Sequence, residues 1–570
     1  MRTNKRKLLS LLLTFVLLLS LLPTTALAEE THPDGVSITI NGSEFNLQDK
    51  QYAASNSSTT ASSDYTGSET YVARYDGTTG TLYLNGYNGG KITATGGSLS
   101  IVLESSNTVA VADSSGNTIH GIEGNGVDLT IQGSGSLTVN ATGSGNGDCY
   151  GIYGKTVAVA GSANVTVNAT NKVEAYAIYA QNSFSTADSS KLNLTVTGDT
   201  GNERALYGIY VKEGNISLGG SGETSITMKG AGGMVYGIHT NTSGKTITVD
   251  GGSLTVKNET GYEEPIAINA QGVVTLNAPV TIEKFKYGVY NSATKLTDSD
   301  KADIRITGGS YTFTAGKGDS CGLWSTNNRV AIRGGMVNIS TQASAIVAKS
   351  GGLDVTGSPT VTLTTEAGNA FYNQSASAST IDLATGGSVT ATSKGTSEYT
   401  YPIQGAITLC DNTKVVKGTQ YSGGTVSGEE TSAGSGTYTV KFEYKEPGAA
   451  SAAVENVTIE GTTNEEITAK EVTVTLANDK FHAIAANTDV KGWFTNLPTG
   501  LTAKIKTAVS ETATTATITV SGTPTENSTA ALAIKIPAGN LVSSSVDLTV
   551  TGNANAKFNI LTLINEATAT

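Results

Sequence analysis

The chain has 570 residues, only 15 % of them charged, with 67 glycines and a formal net charge of −12. So acidic a balance disfavours nucleic acid and anionic lipid as partners, and an acidic polysaccharide would need a local basic patch or bridging cations. The glycine, serine and threonine content could suggest disorder, but Val, Ile and Leu alternate between the glycines as they do in packed strands.

Residues 1–28 read as a secretion signal. Arg2, Lys5, Arg6 and Lys7 form a basic region, a Leu-rich run extends to Leu22, and Ala26-Leu27-Ala28 is a small-residue cleavage site. The competing reading, a membrane anchor, suits a longer run that does not end at Pro23. Loss of the four basic residues moves the net charge from −12 to about −16. No later segment is apolar enough to span a bilayer, so a soluble, monomeric protein, secreted or held at the cell surface, is expected.

Residues 29–70 form an N-terminal segment and cap, with a strand-like VSITI at Val36 followed by a Ser/Thr/Ala-rich stretch. From Tyr71 the pattern tightens into VARYDGTTGTLYLNGYNGG and KITATGGSLSIVL, strands punctuated by glycine turns. A short phrase then recurs: HGIEG at His120, YGIYG at Tyr150, YAIYA at Tyr176, YGIYV at Tyr207, YGIHT at Tyr236 and YGVYN at Tyr287. Weaker copies are AIN at Ala267, CGLWS at Cys321, SAIVA at Ser344, NAFYN at Asn369 and YPIQG at Tyr401. The mean spacing is about 28 residues, and a recurrence of that length marks a stacked repeat.

Each repeat holds three short strand signals, as in YGIYG, TVAVAG and ANVTVNAT from Tyr150 onward. Three strands per turn, with alternation inside each, predict a parallel β-helix of about 11–12 rungs over 71–445. No sustained 3.6-residue period supports a helical solenoid, and the turns are too short for propeller blades. Cys149 and Cys321 occupy comparable places six rungs apart, about 29 Å at the strand spacing, beyond disulfide reach. Buried free thiols are expected.

TYTVKFEY, from Thr437, is a closing strand, and 446–453 reads as a linker. Strand signals separated by Pro/Gly turns then predict an immunoglobulin-like β-sandwich over 454–552, with a tail at 553–570. The all-β class holds throughout.

Within YGIYG, simple alternation points Ile152 inward and Gly151 and Tyr153 outward. Stacking the rungs builds an external column of Tyr153, Tyr179, Tyr210, His239, Asn269, Tyr290, Trp324, Val347, Tyr372 and Gln404. Tyr153, Tyr179, Tyr210, Tyr290, Trp324 and Tyr372 are the candidate ligand-binding residues, their ring faces set against the apolar faces of sugars. A purely stabilising ring stack is the plainer alternative. Tyr150, Tyr176, Tyr207, Tyr236, Tyr287 and Tyr401 have core-facing parity at strand starts, which suits corner packing.

Asp298, Asp300 and Asp303, beside Arg305 in TDSDKADIRI, are either a solvated turn or a Ca²⁺ site. Arg329 and Arg333 alternate on one strand and could grip a carboxylate, a surface pair being the plainer reading. The four histidines give no metal spacing, and no catalytic signature is present, so an enzyme is not expected.

The region from Tyr71 to about Gly424 resembles secreted carbohydrate-binding parallel β-helix proteins of clostridia and related gut bacteria. The resemblance rests on YDGTTGTLYLNGYNGG at Tyr75, GSLSIVLESSNT at Gly97 and LTIQGSGSLTV after Gly121. It implies a right-handed, pectate-lyase-like solenoid that binds plant polysaccharide, with Ca²⁺ along its length. Residues 457–550 resemble immunoglobulin-like modules of Gram-positive surface proteins, through FHAIAANTDVKGWFTNLPTGLTA. The expected function is glycan binding or adhesion on the outer face of the β-helix. A degenerate polysaccharide lyase and a purely structural surface stalk are the alternatives.

Overall fold

The computed structural model describes residues 32–562, except 199–204, 231–232, 298–299, 317, 376, 396–400, 418–419, 422–423, 426–437 and 447. The leader read at 1–28 lies outside them. The chain divides into two compact units at Lys445/Glu446.

The first unit is a parallel β-solenoid of about 11 turns, built from three ladders. In the first ladder, Ile122, Ile152, Ile178, Ile209, Ile238, Ile268, Val289, Leu323, Ile346, Phe371 and Ile403 lie opposite one another from turn to turn. The second ladder aligns Ile216, Ile247, Val274, Ile304, Val330 and Leu353. The third aligns Val139, Val167, Leu194, Ile226, Val256, Ile282, Phe313, Ile339, Leu363 and Ala391. All these side chains are at most 3 % exposed and belong to one continuous core. Burying each aliphatic chain is worth about 1.5–3 kcal/mol, so every added turn supplies its own share of the driving force.

Buried asparagines hold the corners. Asn171 donates through Nδ2 to the carbonyls of Gly147 and Glu174, both at 2.8 Å, and Asn291 to those of Gly272 (2.6 Å) and Asp303 (3.1 Å). Turn carbonyls facing a dry interior need such donors, since an unpaired buried carbonyl is costly. These residues carried no signal in the repeat pattern, because each is one polar letter among many.

Both ends of the stack are covered. The hairpin of Val36–Ile40 and Ser43–Leu47 lies antiparallel on Ile92–Thr95, and Thr81–Leu84 pairs in parallel with Ser98–Leu103. At the far end Tyr438–Tyr444 runs antiparallel to Ser388–Ser393. These strands occupy edges that would otherwise template association. Cys149 and Cys321 are buried and free, whereas Cys410 is free but half-buried.

The second unit has its own core, a six-stranded mixed sheet and a separate parallel pair, Val457–Thr462 with Ala556–Leu561. Phe481 and Trp493 stack within it, centroids 6.0 Å apart. Ser451–Val454, inside the stretch read as a linker, is a strand of that sheet. The stretch read as a tail likewise contributes Ala556–Leu561. Both segments carry alternating buried residues, the first used by the six-stranded sheet and the second by the parallel pair. Among the described residues no helix is long and apolar enough to cross a membrane.

Candidate functional site

The outer face of the first ladder carries the predicted column in register. Tyr153 pairs with Tyr179, and the line continues through Tyr210, His239, Asn269, Tyr290, Trp324, Val347, Tyr372 and Gln404. Glu123 precedes it, ion-paired to Lys91. The six candidate rings are all partly exposed, while His239 and Val347 are buried.

One feature of the column differs from simple alternation. Tyr150, Tyr176, Tyr207 and Tyr236 stay outside the aliphatic core cluster, although Tyr176 is itself buried at 7 % exposure, and together with His120 they stack into a second column. Gly151 takes the inward place instead. A Cβ there would lie 2.6 Å from the Ala177 carbonyl and inside the van der Waals envelope of Val167 Cγ1. Gly121, Gly208, Gly237 and Gly322 meet Val139, Ile226, Val256 and Ile339 in the same way. The third ladder presses its aliphatic row against the strand start, so two consecutive residues turn inward and the tyrosines on either side both turn outward. The paired spacing of tyrosines around each Gly-Ile was the available signal, and period-two parity masked it.

The two columns interlock. Successive rings in the Tyr150 column stack at 4.8, 4.7 and 5.3 Å, and those in the Tyr153 column at 5.0 and 5.1 Å as far as Tyr210. Across the columns the contacts are edge-on, as between Tyr150 and Tyr153 at 5.4 Å. Face-to-face neighbours cover the ring faces inside the run. The strip therefore presents phenol edges and hydroxyls to solvent, not the open faces expected from sequence. Some hydroxyls are anchored: Tyr176 donates to Glu174 at 2.5 Å, and Tyr150 to Asp148 at 3.2 Å. Burial first, then neighbouring hydroxyls and Glu213, push the Tyr179 phenol up to about 12, and burial pulls the His239 imidazole down to about 4. Tyr179 and His239 are therefore uncharged at neutral pH.

Both columns lack a ring on the turn of Ser344 and Val347, and also on an earlier turn. There Ile266 stands in the line of Tyr236 and Tyr287, and Asn269 in the line of His239 and Tyr290. Beside that turn opens a groove of about 1130 Å³, lined by Tyr262, Glu263, Glu264, Pro265, Lys284, Lys286 and Asp319, among others. Lys286 pairs with Glu264 at 2.5 Å and lies over the Tyr287 ring, 5.5 Å from its centroid. Higher up, Tyr290 and Trp324 stack at 6.0 Å, and Lys349 sits 4.7 Å above the Trp324 ring. The groove left no local pattern to read, because its residues come from three separate stretches, 258–265, 284–286 and 315–319.

The three aspartates separate. Asp298 lies outside the described residues. Asp300 is engaged by Arg305 and Arg333, while Asp303 is fully buried and accepts from Asn328 Nδ2 at 3.1 Å. Asp300 is thus already neutralised by two guanidinium groups, and Asp303 faces the interior, so the described pair is not arranged for Ca²⁺. Among the described residues no group of three or more His, Cys, Asp or Glu gathers for a metal. Arg329 and Arg333 do not converge on one carboxylate: Arg329 grips Asp354, and Arg333 grips Asp300.

Comparison with family models, with curated proteins and with solved structures finds no match to this chain.

Proposed function

We propose that this is an extracellular glycan-binding protein whose contact surface is the tyrosine strip on the first ladder. The observation that carries the reading is the register of Tyr153, Tyr179 and Tyr210 beside Tyr150, Tyr176 and Tyr207, which makes one long, uncharged band of ring edges and hydroxyls. The strand spacing of about 4.8 Å is close to the rise of a sugar unit in an extended glycan, so successive hydroxyls can meet successive units. Phenol hydroxyls supply donors and acceptors, and the ring edges supply apolar contact. The right-handed coil, the immunoglobulin-like character of the second unit and its role as a spacer belong to the same reading. Support comes from a sheet-built unit with a separate core and, among the described residues, two short 3-10 turns.

The stacking itself favours a second reading, a structural stalk stiffened by the ring ladder. Replacing Tyr153, Tyr179 and Tyr210 together by Phe separates the two. Phe keeps the stack and removes the hydroxyls, so retention on insoluble plant polysaccharide should fall while thermal stability holds. Undiminished retention by the triple variant, or no retention of the parent chain on cellulose, pectin, xylan or mucin, removes the glycan reading.

A further inference from the structure

The groove near Ile266 borders the first ladder, which carries the tyrosine strip, and its position relative to the strip is defined. Pro265 lines it and directly precedes Ile266; Lys286 lines it and directly precedes Tyr287. The amides of both Lys286 and Tyr287 donate to the Pro265 carbonyl, at 3.0 and 3.1 Å, which fixes the groove wall to the first ladder. Asn258 shapes the opposite lip: its Oδ1 accepts from the Thr260 amide (3.1 Å) and hydroxyl (2.7 Å), and its Nδ2 donates to the Lys284 carbonyl at 3.0 Å. Lys284 has φ of 61° at a register shift between Glu283 and Phe285, so the third ladder bulges where it borders the groove.

The lining is chemically mixed. Tyr262 offers an aromatic surface partly packed on the core, and Pro265 a second apolar patch. Glu263, Asp319 and Lys284 are exposed. Glu264, 60 % exposed, and Lys286, 16 % exposed, face each other as a pair. Charged donors and acceptors of both signs around an aromatic ring form stronger hydrogen bonds to sugar hydroxyls than neutral groups do, and they suit an uncharged ligand. The volume exceeds what a linear chain resting on a flat strip would occupy, and pockets of this order hold small molecules.

We infer that the groove is a side-branch pocket: a neutral glycan lying along the tyrosine strip directs a branch sugar into it at the Ile266 turn, which lacks a ring in both columns and borders the groove. The inference rests on the strip being the glycan surface. It adds that the preferred ligand is branched, and that Tyr262, Glu263 and Asp319 select it. On the turns from Tyr150 to Tyr236 the stacked rings cover one another, whereas on this turn no ring stands between the strip and the groove residues Pro265 and Lys286.

The test is calorimetric titration of the full chain with pairs of neutral oligosaccharides that share a backbone. Xyloglucan oligosaccharide is set against cello-oligosaccharide, galactosyl-branched manno-oligosaccharide against its linear form, and arabinosyl-branched xylo-oligosaccharide against its linear form. At least one branched member should bind about tenfold more tightly than its linear partner. The double variant Glu263→Gln, Asp319→Asn, isosteric and at exposed positions, should erase that advantage and leave linear binding unchanged. Tyr262→Ala should do the same, with a melting curve run alongside to exclude a folding defect. Equal affinity for branched and linear members, or an advantage that survives both variants, overturns the branch pocket while leaving the strip intact. Loss of all binding in the Tyr153, Tyr179, Tyr210 triple Phe variant with the branch advantage present in the parent supports both. Absence of binding by every probe overturns both.

Discussion

Tyr150 and Tyr153 lie three residues apart in one strand, yet their rings leave the same side of it and meet edge-on, centroids 5.4 Å apart and planes 75° apart. Regular pleating would put residues at odd separation on opposite faces. The exception arises because Gly151 and Ile152 both turn inward, and its repetition at successive turns converts two scattered sets of tyrosines into one surface.

That geometry makes the inward glycine sensitive to size. Gly151→Ala should cost about 1–2 kcal/mol, since its Cβ would press on Val167 and on the Ala177 carbonyl, a crowding that the turns carrying Ala177, Ala267, Ala345 and Ala370 accommodate. Gly151→Val, whose branches would run into Val167, should cost about 2–3 kcal/mol or more. Chemical denaturation of the two variants checks the ratio; equal costs would contradict an inward position.

Tyr179 stacks on Tyr153 and on Tyr210 and meets Tyr150 and Tyr176 edge-on. Each such pair contributes about 0.5–1.5 kcal/mol beyond area burial. Tyr179→Ala should therefore destabilise the solenoid by about 2–4 kcal/mol. Tyr372→Ala, where no ring stacks on Tyr372 among the described residues, should cost less than half as much by the same unfolding measurement.

Burial raises the Asp303 carboxyl to about 7, with Asn328, Ser325 and Arg305 opposing the shift. Between its ordinary value of 3.8 and about 7 the native state holds a proton that the unfolded chain gives up. Its contribution to stability is thus full below that window and is lost as pH rises through it, amounting to an upper bound of about 4 kcal/mol. His239 has the opposite sign: held down to about 4 by burial, it contributes stability above its ordinary 6.5 that is lost as pH falls. The two slopes overlap, so the difference between parent and Asp303→Asn isolates the aspartate. The variant should gain on the parent as pH rises from 4 to 7 in urea midpoints; a constant difference would refute the raised value.

Arg329 is held by more than an ion pair. Its Nε donates to Asp354 at 2.6 Å, Nη1 to the Gly351 carbonyl at 2.6 Å, and Nη2 to Asp354 and to the Ala378 carbonyl at 3.2 Å. A lysine cannot reproduce that planar fork, so Arg329→Lys should cost about 1–3 kcal/mol. Arg333→Lys, at a more exposed guanidinium, should cost below about 1 kcal/mol. Thermal melts of the pair check the contrast.

The spacing of YGIYG, YAIYA and YGIYV was enough to establish the coil, its three strands per turn and the row from Tyr153 to Tyr372. Those features follow from local letters: aliphatic alternation selects strands, and the same phrase met once in every turn brings equivalent residues into register. The sequence could not show which side of the strand Gly151 and Tyr150 face, because the third ladder's Val167 decides it from across the core. Nor could it show that the ring faces cover one another, that Asp300 and Asp303 part company, or that loops around 262, 286 and 319 enclose a groove. Each of these depends on atoms brought together from distant turns, and distance in the chain leaves no local pattern to read.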